Sequence, residues 1–271
     1  MSVLNRYKRG FSINTFMKTH MSLLLLIFGL VGTIGVSASL FIHNPIDLKK
    51  ECEKSPKRAL VLLGDFSDPN TDTQRKQVTI FIKQKVLSVL KAGDRLHVGR
   101  LASDASNPIN WVYRGCDPGR GENANYFIQT PSEVDKERKQ EFLEPLSKVL
   151  ELLEVPEKQL KTPLIEGIES ISNFLRLEYG SNSALRTKFI VITDLLQNSD
   201  EMSVYQKGNN TEKKWKKFVK EHQTLFENTE VTIGFIKRSK HWKLQSKKQI
   251  KRFSNFLKDS GVKDVELINI Y

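Results

Sequence analysis

Residues 188–193 read KFIVIT, a continuous apolar run of strand length, and Asp194 follows directly. A strand without polar alternation is typical of a sheet that is covered on both faces, because both rows of side chains must then be apolar. Arg58 to Gly64 (RALVLLG) repeats this pattern and is followed by Asp65. The two runs predict the central strands of a buried sheet.

Segments of helical periodicity lie between the apolar runs, which predicts a doubly wound α/β fold with a mostly parallel central sheet and helices on both faces. Residues 103–121 contain Pro and Gly and are predicted as loop, with an interruption at Trp111 to Tyr113 left open. The predicted strands are 58–64, 95–101, a short one at 126–129, 188–193, 231–236 and 265–268. The predicted helices are 73–92, 132–153, 162–177, 212–226 and 247–260.

Polar side chains follow two of these strands and open one of the helices. Asp65 and Ser67 come after the first strand, Asp194 comes after KFIVIT, and Thr162 precedes the helix at 162–177. Ligands of doubly wound sheets gather outside the carboxyl ends of the strands. We therefore expect these oxygen-bearing side chains to converge at one edge of the sheet.

The order and type of these residues resemble the von Willebrand factor type A (vWA) family. Its metal-ion-dependent adhesion site (MIDAS) has Asp-x-Ser-x-Ser after the first strand, a Thr in a second loop and an Asp after a later strand. The resemblance, over about residues 57 to 271, implies that Ser67 and Thr162 coordinate a divalent ion and that Asp65 and Asp194 supply charge. It also implies Mg²⁺, with Mn²⁺ or Ca²⁺ as alternatives, and a partner protein that offers an acidic group to the metal.

One position departs from the family pattern. Pro69 replaces the last serine of the first motif and offers no side-chain oxygen. Asp68 or Asn70 could compensate, although neither matches the motif. The alternative is that Asp65 and Asp194 only cap loops or helices, in which case the fold is kept without a metal.

The N-terminal region predicts a membrane anchor. Met21 to Ile46 contains no Asp, Glu, Lys or Arg, and residues 21–43 are long enough to span a bilayer as one helix. The basic tail at 1–20 stays cytoplasmic by the positive-inside rule, so the tether at 44–57 and the domain at 58–271 are expected to be periplasmic or extracellular. A cleaved signal peptide is the alternative, and it exports the domain as well.

The only two cysteines, Cys52 and Cys116, are too few for a structural zinc site, which needs four ligands drawn mostly from Cys and His. In an oxidising compartment they could form a disulfide. Two unpaired thiols are the alternative.

Charge and motifs limit the function classes. The formal net charge of +12 suits an acidic protein, an anionic membrane or nucleic acid. Neither a phosphate-binding loop nor a catalytic triad spacing is present. The sequence therefore favours a membrane-anchored, non-enzymatic protein-binding module; a metal-dependent phosphoester hydrolase and an envelope component of a DNA-transfer apparatus are the alternatives.

Overall fold

The structure is a computed structural model that describes residues 52, 54–124, 130–153, 159–180, 185–206, 208 and 210–271. Within these ranges, no helix combines the length and the apolar character needed to cross a membrane. The predicted tail at 1–20, the membrane segment at 21–43, most of the tether and the predicted short strand at 126–129 lie outside the described residues.

The core is a six-stranded sheet in the order β3-β2-β1-β4-β5-β6. All neighbouring strands are parallel except β3, which runs antiparallel to β2 at one edge. Doubly wound sheets often carry such an antiparallel edge strand. The strands are β1 (Arg58–Gly64), β2 (Asp94–Leu101), β3 (Ile109–Cys116), β4 (Arg186–Thr193), β5 (Thr229–Ile236) and β6 (Asp264–Ile270).

Helices cover both faces of the sheet, and alternate side chains of β1 show the division. Val61 and Leu63 pack into one hydrophobic cluster with the helices at Leu164–Tyr179, Glu212–Glu221 and Lys247–Asp259, whereas Leu60 and Leu62 pack into a second cluster with the helices at Asp72–Ile82 and Glu144–Leu153. The predicted doubly wound α/β class is therefore confirmed. The helices are α1 (Asp72–Ile82), α2 (Pro131–Glu137), α3 (Glu144–Leu153), α4 (Leu164–Tyr179), α5 (Glu212–Glu221) and α6 (Lys247–Asp259).

Several sequence-based boundaries were wrong. The helix predicted over 73–92 is α-helical only to Ile82 and continues as a π-helix to Leu87. The segment predicted as loop at 103–121 contains β3, whose side chains are mostly half-exposed, so that it lacks the apolar run of a buried strand. The helix predicted over 212–226 ends at Glu221. The next residue, His222, leaves the helical conformation with its ring between Glu169 and Glu201, and the chain then turns so that Phe226 stacks on Phe189.

Cys52 and Cys116 are joined by a disulfide with an S–S distance of 2.08 Å. Cys116 is the last residue of β3, and Cys52 belongs to the segment predicted as a tether. Both sulfur-bearing side chains are buried. The bond therefore fixes the segment before β1 to the antiparallel edge of the sheet.

Candidate functional site

The candidate site lies between β1 and β4, where the direction in which successive strands are added to the sheet reverses. From β1 the chain proceeds through β2 and β3 on one side, and it then returns to β4, β5 and β6 on the other side. A crevice at the carboxyl ends of the two central strands is the usual ligand position of such a sheet. Asp65 and Asp194 are the first residues after β1 and β4, so the fold brings both carboxylates to this crevice.

The Asp65 carboxylate is buried and accepts hydrogen bonds from two hydroxyl groups. Ser67 Oγ donates to Asp65 Oδ1 at 2.8 Å, and Thr193 Oγ1 donates to Asp65 Oδ2 at 2.9 Å. The side chain is 1% exposed. Burial raises the pKa of Asp65 above its usual range, and these hydrogen bonds only partly oppose that change.

The Asp194 carboxylate is also buried, and its pKa is raised to about 7 by burial and, next, by the negative charge of Asp65. Oδ1 accepts a hydrogen bond from the backbone N–H of Leu196 at 3.0 Å. Oδ2 accepts one from Nε of Arg238 at 3.3 Å. The two carboxylates are thus close enough to repel each other, and Arg238 forms an ion pair with Asp194 alone.

Arg238 connects the loops that follow β1, β4 and β5. In addition to its bond with Asp194, Arg238 makes three hydrogen bonds with the loop after β1. Its Nη1 donates to the Pro69 carbonyl at 3.0 Å and to Asn70 Oδ1 at 2.8 Å, and its Nη2 donates to the Asp68 carbonyl at 3.2 Å. The residue is 7% exposed. The guanidinium therefore neutralises part of the carboxylate charge and also fixes the loop that carries Ser67.

Gln245 completes these contacts. Its Oε1 accepts from the backbone N–H of Arg238 at 2.7 Å, and its Nε2 donates to the carbonyls of Asp194 and Ile236 at 2.9 and 2.8 Å. One amide side chain thus links the ends of β4 and β5. The positions of Asp194 and Arg238 are set by backbone contacts as well as by their mutual attraction.

Thr162 lies further along the same edge. Its backbone pairs with that of Asn198, with N···O distances of 2.7 and 2.9 Å. The next turn is fixed by Gln197, whose Oε1 accepts from the Ile165 N–H at 2.8 Å. Within the described residues, the Thr162 side chain makes no hydrogen bond to Asp65 or Asp194. The structure therefore brings Asp65, Ser67 and Asp194 together and places Thr162 beside the loop that follows Asp194.

The oxygen atoms of this cluster meet some, but not all, of the requirements of a divalent-cation site. With Asp65 and Asp194 ionised and Arg238 charged, one net negative charge remains, and carboxylate and hydroxyl oxygens are the ligands that Mg²⁺ prefers. However, Arg238 occupies Asp194 Oδ2 and the Pro69 carbonyl. In the part of the chain that the structure describes, no group of three or more His, Cys, Asp or Glu side chains is arranged to hold a metal. An ion here would depend on Asp65, Ser67 and Asp194.

The ligand set predicted from the sequence did not include Thr193 or Arg238. Thr193 ends β4, where its hydroxyl also accepts from the Leu195 N–H at 3.0 Å. Arg238 follows β5 by two residues, so inspection of every strand end would have reached it. However, the chain has 43 Lys and Arg residues, and nothing in the sequence distinguishes Arg238 from the others as a site residue.

The chain matches no protein-family model, and no curated protein is similar to it in sequence. Among solved structures, two of proximal thread matrix protein 1 from the mussel byssus match part of this chain: a second crystal form and a structure with a zinc-occupied MIDAS motif. Both are 15% identical to this chain, with TM-scores of 0.40 and 0.39. Each alignment covers 79% of this chain and 44% of the mussel protein.

Proposed function

We propose that this protein is a non-enzymatic protein-binding module whose contact edge is the cluster of Asp65, Ser67 and Asp194. One observation supports this proposal above the others: two buried carboxylates lie close together at the switch point of the sheet, and Arg238 forms an ion pair with only one of them, Asp194. The unbalanced negative charge gives the edge an affinity for a cation. A partner that brings a carboxylate could then bind on the exposed side of that cation.

The cation in this proposal is Mg²⁺, with Mn²⁺ or Ca²⁺ as alternatives. Mg²⁺ is usually held by one or two protein carboxylates and keeps several water molecules, which leaves positions for a ligand oxygen. Asp65 and Asp194 would supply the charge, and the half-buried Ser67 hydroxyl would supply a neutral oxygen. The vWA resemblance adds Thr162, whose backbone lies against the loop that follows Asp194.

Binding of Mn²⁺ provides the first test, because this ion can be followed by its paramagnetism. We expect the purified protein to bind Mn²⁺, with Mg²⁺ as a competitor, and we expect Asp65→Asn to weaken binding at least tenfold. Asp104→Asn is a matched control, since Asp104 accepts from Ser106 at 2.7 Å in the same Asp-x-Ser spacing but is exposed. Equal Mn²⁺ affinity in all three proteins would contradict the metal site.

Partner recognition requires its own measurement. A displayed peptide library is selected on the immobilised protein in Mg²⁺ and, in parallel, in EDTA. We expect peptides with a common Asp or Glu to be enriched more strongly in Mg²⁺ than in EDTA, and we expect this additional enrichment to be lost on Asp194→Asn. Enrichment that is the same in EDTA would contradict metal-dependent recognition.

Membrane attachment through residues 21–43, with the domain outside the cytoplasm, is part of the same proposal. The four basic residues and no acids in the first twenty positions support this orientation. Extraction of membranes with alkaline carbonate and protease treatment of intact cells would test it. A carbonate-soluble or protease-protected domain would contradict the anchored, exported arrangement.

A further inference from the structure

A cavity of about 760 Å³ lies directly beside the carboxylate cluster. Arg238 forms part of its wall, so the cavity and the cluster are continuous. The other wall residues come from the loop after β1, from the first turn of α1, from the end of β5 with the segment that follows it, and from Tyr271. They include Pro69, Lys237, Lys240, His241, Trp242 and Tyr271.

Two large aromatic side chains in this wall are exposed. Trp242 is 67% exposed and Tyr271 is 57% exposed. Trp242 directly follows the 3₁₀ turn at Ser239–His241, whose backbone is fixed by the His241 N–H donating to the Arg238 carbonyl at 3.0 Å. Exposed tryptophan and tyrosine on a fixed backbone are residues that often dominate the energy of a protein interface.

The charge around the cavity is strongly positive. Lys237 Nζ lies 4.4 Å from the centroid of the Tyr271 ring, and Lys243 Nζ lies 5.6 Å from the centroid of the Trp242 ring. Lys240 belongs to the same wall. Within the described residues, no carboxylate forms an ion pair with any of these three lysines. Asp68 is the one acidic side chain that lines the cavity.

We infer that this cavity binds an acidic segment of the partner protein that also carries an aromatic or large apolar side chain. The aromatic wall would bury the apolar side chain, and the unpaired lysines would pair with its acidic neighbours. A concave cavity with Asp68 in its wall favours such a segment over a phosphate backbone, which needs a continuous basic track. This inference rests on the proposed protein-binding function and specifies the chemistry of the partner.

The probe is a short synthetic peptide in which Asp and Glu residues flank one Trp, and all measurements are made in EDTA. A second peptide replaces the acids by Asn and Gln, and a third replaces the Trp by Ala. We expect the first peptide to bind at least tenfold more tightly than either of the others, with an affinity that falls as salt is raised. Since EDTA removes divalent ions, a failed metal site leaves this result unchanged.

Variants of the protein then locate the binding. We expect Trp242→Ala and the double variant Lys240→Gln with Lys243→Gln each to weaken binding about tenfold. The double variant Lys213→Gln with Lys216→Gln, on the exposed face of α5, removes the same charge elsewhere and should bind like the unaltered protein. Equal binding by all variants would overturn the inference. Tighter binding of oligothymidine, lost in the same variants, would also overturn it, in favour of nucleic acid.

Discussion

Nε of Arg238 and Oδ2 of Asp194 form a buried ion pair 3.3 Å apart, with side chains that are 7% and 4% exposed. The same guanidinium holds the carbonyls of Asp68 and Pro69. The Arg238 guanidinium therefore already occupies one oxygen of the Asp194 carboxylate. A divalent ion at this edge would have to compete with Arg238 for the oxygens of Asp194 and with the proton that the raised pKa of Asp194 favours.

Arg238→Met is expected to weaken the fold and strengthen ion binding. Removal of one partner of a buried ion pair costs about 3 kcal/mol, because the other charge is left buried. The free energy of unfolding in EDTA should fall by that amount. With the arginine gone, no guanidinium competes for the oxygens of Asp194, and the Mn²⁺ dissociation constant should fall about tenfold. Urea unfolding and Mn²⁺ titration measure the two effects.

Lys237→Met is the control for Arg238→Met. It removes one positive charge next to the cluster, but its side chain contacts Tyr271 rather than Asp194. It should change the unfolding free energy and the Mn²⁺ affinity less than Arg238→Met does. If Arg238→Met binds Mn²⁺ no better than Lys237→Met does, Arg238 is not a competitor for the ion.

The two hydroxyl groups bonded to Asp65 are expected to have different roles. Thr193 is fully buried and both donates to Asp65 and accepts from Leu195. Thr193→Val keeps the shape but leaves these groups unsatisfied, which should lower the free energy of unfolding by about 1–3 kcal/mol. Ser67 is half-buried, so Ser67→Ala should cost less than about 1 kcal/mol and should instead weaken Mn²⁺ binding about tenfold.

Ser106→Ala supplies the comparison, because Ser106 donates to Asp104 at 2.7 Å in an exposed Asp-x-Ser turn. It should leave both the unfolding free energy and the Mn²⁺ affinity near their original values. Urea denaturation and Mn²⁺ titration of the three variants separate structural from ligand-binding hydroxyls. A Ser67→Ala protein with unchanged Mn²⁺ affinity would remove Ser67 from the proposed ligands.

The parts of the fold that follow from burial could be predicted from the sequence. The parallel strands β1, β4 and β5 lie inside the sheet, so their side chains must be mostly apolar, and they appear as apolar runs. Asp65 and Asp194 were predictable for the same reason, since each follows such a run directly. Edge strand β3 escaped prediction because its side chains are mostly half-exposed.

Contacts between distant loops could not be predicted. Arg238 is 44 residues from Asp194 and 168 from Asn70, and the parallel pairing of β1 with β4 and of β4 with β5 brings these loops together. Thr162 shows the limit of a positional resemblance. Its place in the chain suits the threonine of a MIDAS, whereas its bonded neighbour in the structure is Asn198.

The Cys52–Cys116 disulfide is expected to contribute strongly to stability. It closes a loop with a sequence separation of 64, and the chain-entropy model gives about 4 kcal/mol for a loop of this length. The variant with Cys52→Ser and Cys116→Ser should therefore unfold at a lower urea concentration. Dithiothreitol should lower the midpoint of the unaltered protein in the same way and should leave that of the double variant unchanged. A midpoint that is insensitive to dithiothreitol in the unaltered protein would contradict this contribution.

His97 is expected to make the fold sensitive to mild acid. Its ring is fully buried against Trp111 and Phe174, and its Nε2 shares a hydrogen bond of 2.6 Å with the Tyr179 hydroxyl. Burial, followed by the charges of Arg95 and Arg114, lowers the pKa of His97 to about 3. Its ordinary value, about 6.5, applies in the unfolded chain. Between these values only the unfolded chain binds the proton, so stability falls as the pH is lowered.

Comparison of pH 7.5 with pH 5.5 isolates this effect. Linkage predicts that His97 removes about 1.4 kcal/mol from the free energy of unfolding over that interval. His97→Gln keeps a hydrogen-bonding group for Tyr179 and does not titrate, so its stability relative to the unaltered protein should improve by that amount at pH 5.5. In His222, burial is outweighed by the bonds to Glu169 and Glu201, which raise the pKa. His222→Gln should therefore become relatively less stable at pH 5.5. Urea unfolding of the three proteins would disprove the role of His97 if its variant differed equally from the unaltered protein at both pH values.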